Sequence, residues 1–137
     1  MEQQHSREQL VATYCHLVDT GLMDLATGNV SCRVEGGMLI SCSGATAQNL
    51  TPDRVVFVRE DGTWAGDIKP SSEWRMHSAV YEKSEKANAV IHAHSAYCVA
   101  MACNNMPLPG FHYMVGMFGG SDAVSYTHLT LPTTRHV

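Results

Sequence analysis

The stretch from Thr27 to Ser41 limits the possible folds more than any other part of the chain. Val30, Cys32 and Val34 alternate with polar residues, so they share one face of an extended segment. Glu35-Gly36-Gly37 follows, and glycines accept the positive φ that a tight reversal needs. Met38-Leu39-Ile40-Ser41 then reads as the returning strand, so the unit is an antiparallel hairpin.

Helical periodicity precedes it. From about Gln4 to Leu22, the residues Leu10, Val11, Tyr14, Leu17, Val18 and Leu22 recur at the three-and-four spacing of an amphipathic helix. Ser6 with Gln9 matches a capping box, and Gly21 is placed to break the last turn. Downstream, Thr51-Pro52-Asp53 reads as a turn and Val55-Val56-Phe57-Val58 as a buried strand. Glu60-Asp61-Gly62 reads as a second turn before a short strand around Thr63-Trp64. Helix resumes at about Ser72 and runs through Trp74, Met76, His77, Val80 and Tyr81. Ala89-Val90-Ile91 has the β-branched character of a buried strand. Tyr97 to Met101 looks helical, ending near Asn104-Asn105, and Pro107 and Pro109 enforce a loop.

Bulk properties exclude several function classes. A chain of 137 residues suits one domain or part of one. A net charge of -4 without a basic stripe argues against a nucleic-acid partner. The five cysteines form no C-x-x-C pair and are odd in number, which argues against a disulfide framework and for a reducing cytoplasm. No apolar run approaches the ~20 residues of a membrane span, and the N-terminus is polar where a secretory signal is apolar.

Chemistry is suggested in several places. In a continuing strand His92 and His94 point to the same side, which makes half a metal site. An isolated His-x-His is more often a pair of structural histidines, so its neighbours matter. Glu73 follows Pro70-Ser71-Ser72, residues typical of a helix entry, where the helix dipole favours a carboxylate that can act as a base beside a metal. His77 lies four residues later on the same helix face, as a neighbour of the site or, more ordinarily, as a satisfied structural histidine. Gly28-Asn29, Ser43-Gly44 and Ser71-Ser72 are small polar turns with the N–H groups and hydroxyls of a phosphate cradle. Each alone is a common loop dipeptide. Tyr113 is a proton donor if it reaches the site and a core aromatic otherwise.

Several short motifs, in order, are similar to those of the class II aldolase/adducin family. They are Thr-Gly-Asn-Val-Ser at 27–31, Gly-Met-Leu-Ile at 37–40, Ser43-Gly44, and Lys-Pro-Ser-Ser-Glu-Trp-Arg at 69–75. The His92-x-His94 pair, His112-Tyr113-Met114 and Gly119-Gly120 complete the set. The resemblance covers about residues 8 to 122. It implies an α/β (α+β) three-layer fold with a central, largely antiparallel sheet flanked by helices and truncated at the C-terminus. It also implies a Zn2+-dependent aldehyde-lyase that cleaves L-fuculose 1-phosphate, or a related sugar phosphate, reversibly to dihydroxyacetone phosphate and L-lactaldehyde. His92, His94 and Glu73 match metal-ligand positions, Glu73 and Tyr113 catalytic positions, and Gly28, Asn29, Ser43, Gly44, Ser71 and Ser72 phosphate-binding positions. A cytoplasmic homotetramer is implied for the full-length protein. Other members are 4-epimerases, dehydratases and non-catalytic adducin modules. Glu73 favours the aldolase, because the matching epimerase position is usually Asp, and the histidine pair disfavours a scaffold. Cys42 and Ala45-Thr46-Ala47 differ from the fuculose-type pattern, which leaves the sugar phosphate open.

The family's third zinc histidine, in a His-His-Gly segment, has no match in this chain. The run Val124-Ser125-Tyr126-Thr127-His128-Leu129-Thr130-Leu131-Pro132-Thr133 resembles the translation of a sequencing-library transposon adapter. A family portion over 1–123 and a non-native tail over 124–137 are therefore expected, with a real strand ending at Leu131-Pro132 as the alternative. The chain by itself is accordingly expected to bind zinc poorly and to be inactive.

Overall fold

The computed structural model describes residues 2–24 and 26–106, arranged in two compact units that divide between Ala93 and His94. Expectations about Pro107, Pro109, Tyr113, the 112–114 and 119–120 motifs and the tail boundary at 123 lie outside the described residues.

The first unit is built on the expected hairpin. Strands β1 (Asn29–Val34) and β2 (Gly37–Ile40) pair antiparallel from Val34 opposite Gly37 to Ser31 opposite Ile40. Gly36 takes φ +75°, the left-handed geometry that a side chain resists. Strand β3 (Val56–Arg59) adds to β2 and strand β4 (Ala89–His92) adds to β1, so the four-stranded sheet runs β3-β2-β1-β4, antiparallel throughout. The short strand expected around Thr63-Trp64 is reduced to a single bridge between Trp64 and Val58.

Helix α1 (Glu2–Asp19) packs on β1 and β2. Leu10, Tyr14 and Leu17 of its apolar stripe enter one core with Val30, Leu39, Ile40 and Val58. Tyr14 is wholly buried and donates its phenol proton to the Ala45 carbonyl at 2.7 Å. The helix starts at Glu2, so Ser6 lies inside it and the Ser6–Gln9 capping box is not its start. Gly21, at φ +73°, ends it as expected, with Leu22 N–H returning to the Leu17 carbonyl. Leu22 falls beyond that stop and is 46% exposed.

The opposite sheet face carries the polar residues of β1. Helix α2 (Trp74–Lys83) crosses there, with Arg33 donating to the carbonyls of Tyr81, Ser84 and Ala87. The sheet thus lies between two helices, and the expected antiparallel sheet with flanking helices is observed. Helix α2 begins two residues later than the sequence suggests, so Glu73 occupies its N-cap position rather than its first turn. The chain preceding it is held to the sheet instead, by Ser43 N–H to the Lys69 carbonyl and Ser71 N–H to the Ser41 carbonyl.

Strand β4 corrects two expectations. Among the described residues it forms the sheet edge, with Ile91 49% exposed, because β-branched residues suit an edge as well as a buried strand. It also stops at His92. His92 pairs with Asn29, the first residue of β1, so β1 offers no strand partner to the next residues. His94 therefore does not continue the strand, and strand alternation does not set its direction; it opens the second unit. In that unit, helix α3 (Ala96–Cys103) forms where expected and closes at Asn104.

Among the described residues, no helix is long and apolar enough to cross a membrane.

Candidate active site

Three loops that are distant in sequence meet at the ends of β1 and β2. Gly28 and Asn29, Ser43 and Gly44, and Ser71, Ser72 and Glu73 line one concavity of about 210 Å³. Gly28, Asn29 and Ser71 are buried in its floor, while Ser43, Gly44 and Ser72 are exposed. All six residues of the sequence-level cradle are therefore brought together, with Glu73 beside them. None of the described lining residues is Lys or Arg, so what these residues offer an anion is N–H groups, hydroxyls and the start of α2.

Gly28 is needed for close approach. A β-carbon there would stand 2.8 Å from the His92 carbonyl oxygen and 2.7 Å from Met23 Sδ. Gly28→Ala is expected to cost about 1–3 kcal/mol by overpacking and to push β4 away from β1 at His92. Urea unfolding, with amide exchange of residues 90–92, checks this, and an unchanged midpoint would contradict it.

Glu73 sits between the concavity and β4. Its Oε2 accepts a hydrogen bond from Asn29 Nδ2 at 2.5 Å and lies 3.3 Å from His92 Nε2. The two side chains are 20% and 22% exposed, so the pair is mostly shielded from water without being sealed from it. Glu73 N–H also points to Ser71 Oγ at 3.4 Å.

Behind Asn29 is a buried polar row. His77, fully buried, has Nε2 2.5 Å from Asn29 Oδ1 and Nδ1 2.6 Å from Ser31 Oγ. Ser31 Oγ is also 2.7 Å from the Tyr81 phenol oxygen. Burial, reinforced by the nearby His92, lowers the His77 pKa to about 4, so its ring is neutral at ordinary pH. Burial raises the Tyr81 pKa, so the phenol keeps its proton.

The sequence-level candidates are thus brought together unequally. Glu73, His92 and the six cradle residues are adjacent, whereas His94 belongs to the second unit and Tyr113 lies outside the described residues. Among the described residues, no group of three or more His, Cys, Asp or Glu side chains is gathered to hold a metal. Ser31 and Tyr81 were not singled out from the sequence. Their signal was the polar face Asn29-Ser31-Arg33 lying opposite a helix with His77 and Tyr81 four residues apart.

Residues 8–137 match the Class II Aldolase and Adducin N-terminal domain. A 5-methylthioribulose-1-phosphate/5-deoxyribulose-1-phosphate aldolase of Rhodospirillum rubrum is 40% identical over 129 residues, 94% of this chain and 58% of that protein. An L-fuculose phosphate aldolase of Escherichia coli O6:H1 is 36% identical over 133 residues, 97% of this chain and 62% of that protein. A solved L-fuculose 1-phosphate aldolase superposes with a TM-score of 0.79 at 32% identity, covering 86% of this chain and 57% of that one. The enzyme of the same name from Thermus thermophilus superposes with a TM-score of 0.67 at 27% identity, covering 86% of this chain and 58% of that one. The chain thus spans about three fifths of the length of these relatives. A domain match over nearly the whole chain, joined to this likeness in sequence and fold, establishes that it belongs to the class II aldolase and adducin family.

Proposed function

We propose that the protein is the substrate-anchoring part of a zinc-dependent aldolase that splits a ketose 1-phosphate into dihydroxyacetone phosphate and an aldehyde. The observation that carries this reading is the Glu73 carboxylate, held at 2.5 Å by Asn29 of the cradle and at 3.3 Å from His92. One side chain thereby joins an anion-binding concavity to an imidazole.

The donors suit the metal. Two ligands at about 2.0–2.1 Å from a tetrahedral zinc stand about 3.3 Å apart, which is the His92–Glu73 separation. His92 and, while no substrate is bound, Glu73 would hold it, with His94 added on the resemblance alone, and when bound it would polarise the ketone oxygen as a Lewis acid. The cradle would fix the phosphate and so place the adjoining three carbons against Glu73. In the condensation direction the Glu73 carboxylate takes a proton from the hydroxymethyl carbon of dihydroxyacetone phosphate, and the resulting enediolate attacks the aldehyde. On the family resemblance, Tyr113 is the residue that would protonate the new alkoxide, and the working enzyme would be a cytoplasmic homotetramer.

L-Fuculose 1-phosphate and 5-methylthioribulose 1-phosphate share their dihydroxyacetone phosphate half and differ in the aldehyde half. The residues gathered around Glu73 serve the shared half, so the aldehyde is the variable to test. A protein carrying this chain at the length of its relatives should condense dihydroxyacetone phosphate with L-lactaldehyde or with methylthioacetaldehyde, and chelator should abolish the reaction. Turnover that survives complete zinc removal would contradict the proposal, and so would bound zinc with neither condensation. The 137-residue chain alone, lacking the family's third histidine, should bind zinc weakly in calorimetry; tight stoichiometric binding would overturn that ligand set.

A further inference from the structure

We infer that His77 is a positioning residue that acts through Asn29: its Nε2–H locks the Asn29 amide so that the NH2 group faces Glu73 and the cradle. The inference rests on the cradle reading above and adds to it a residue that contacts neither phosphate nor the reacting carbons.

The bond directions follow from which atoms can donate. Glu73 Oε2 is an acceptor, so the Asn29 atom 2.5 Å away is the NH2 nitrogen. The other Asn29 terminus, Oδ1, must then accept, and the His77 nitrogen 2.5 Å from it must carry the proton. A neutral ring protonated at Nε2 has a bare Nδ1, which accepts from the Ser31 hydroxyl at 2.6 Å. Ser31 Oγ, having donated its one proton, accepts from the Tyr81 phenol at 2.7 Å. Each member therefore has a single role, from Tyr81 through Ser31, His77 and Asn29 to Glu73. The opposite tautomer would set two acceptors, His77 Nε2 and Asn29 Oδ1, against each other, or turn the Asn29 carbonyl toward the Glu73 carboxylate. Either arrangement would break the bond that holds Glu73.

The first test needs no ligand. In the chain labelled with ¹⁵N at histidine, long-range ¹H–¹⁵N correlation spectra should show His77 protonated at Nε2 and bare at Nδ1. A His77 ring protonated at Nδ1 would overturn the inference. The second test follows inorganic phosphate by ³¹P NMR and by the Asn29 side-chain amide signals. His77→Gln keeps an N–H toward Asn29 and should bind phosphate within about threefold of the parent, whereas His77→Leu should bind about tenfold more weakly. Equal affinity in all three proteins would overturn the role of His77 and leave the cradle reading standing. Absence of phosphate binding by the parent chain would sink the cradle reading, and the tautomer then decides the His77–Asn29–Glu73 link by itself. If His77→Leu does not fold, Ser31→Ala takes its place: losing the hydroxyl on Nδ1 should give a mixture of His77 tautomers and a matching loss of phosphate affinity, and an unmixed tautomer with full affinity would count against the inference.

Discussion

Glu73→Gln should slow proton exchange at the hydroxymethyl carbon of dihydroxyacetone phosphate by about 10²–10⁴-fold in a zinc-loaded protein carrying this chain at the length of its relatives. The substitution keeps the shape of the side chain and leaves an oxygen able to accept from Asn29 Nδ2, so the concavity and the fold should persist. What disappears is a base, because an amide cannot take up the proton. The readout is deuterium incorporation into dihydroxyacetone phosphate in heavy water without added aldehyde, which isolates proton transfer from carbon–carbon bond formation. Phosphate affinity should stay within a few-fold, since Gly28, Asn29, Ser43, Gly44, Ser71 and Ser72 are unaltered. Exchange at near-parental rate would remove Glu73 from the chemistry and leave it as a structural partner of Asn29. Loss of phosphate binding together with exchange would instead mean that the carboxylate organises the cradle.

How much of this was legible in the sequence depends on whether the signal is local. The β1–β2 hairpin was readable because strand alternation and Gly36 are contained within a dozen residues, and α1 because its stripe repeats along one segment. The cradle was only half readable. Gly28-Asn29, Ser43-Gly44 and Ser71-Ser72 are ordinary loop dipeptides, and what makes them one site is backbone pairing between remote segments, such as Ser71 N–H with the Ser41 carbonyl. Glu73 could be suspected from its helix-start context, but its bond to Asn29 joins α2 to β1 and has no local signature. His94 shows the converse failure: alternation holds only while a strand has a partner, and β1 begins at Asn29, opposite His92.

His77 fits both sequence readings, a satisfied structural histidine and a neighbour of the site, and its burial also makes it a source of acid sensitivity. Its pKa falls from 6.5 to about 4, chiefly because burial penalises the charged ring and secondly because of His92. The unfolded chain therefore binds a proton between these values while the folded chain does not. Stability is complete above pH 6.5, declines as the pH falls below it, and stops declining once the folded ring also titrates near pH 4. The loss due to His77 is about 2 kcal/mol by pH 5 and about 3 kcal/mol by pH 4. Tyr81, the Glu73 carboxylate beyond Asn29, and His92 are the other titratable groups around this ring, and the carboxylates and remaining histidines add slopes of their own. The contribution of His77 is therefore the difference between the parent and His77→Gln, both unfolded in urea without added metal from about pH 7.5 to about pH 4. Gln cannot titrate, so its stability should fall less steeply across the window even where its absolute stability is lower. Parallel curves would show that protonation of His77 is not resisted by the fold, and that the Tyr81–Ser31–His77–Asn29 row is open to water in solution.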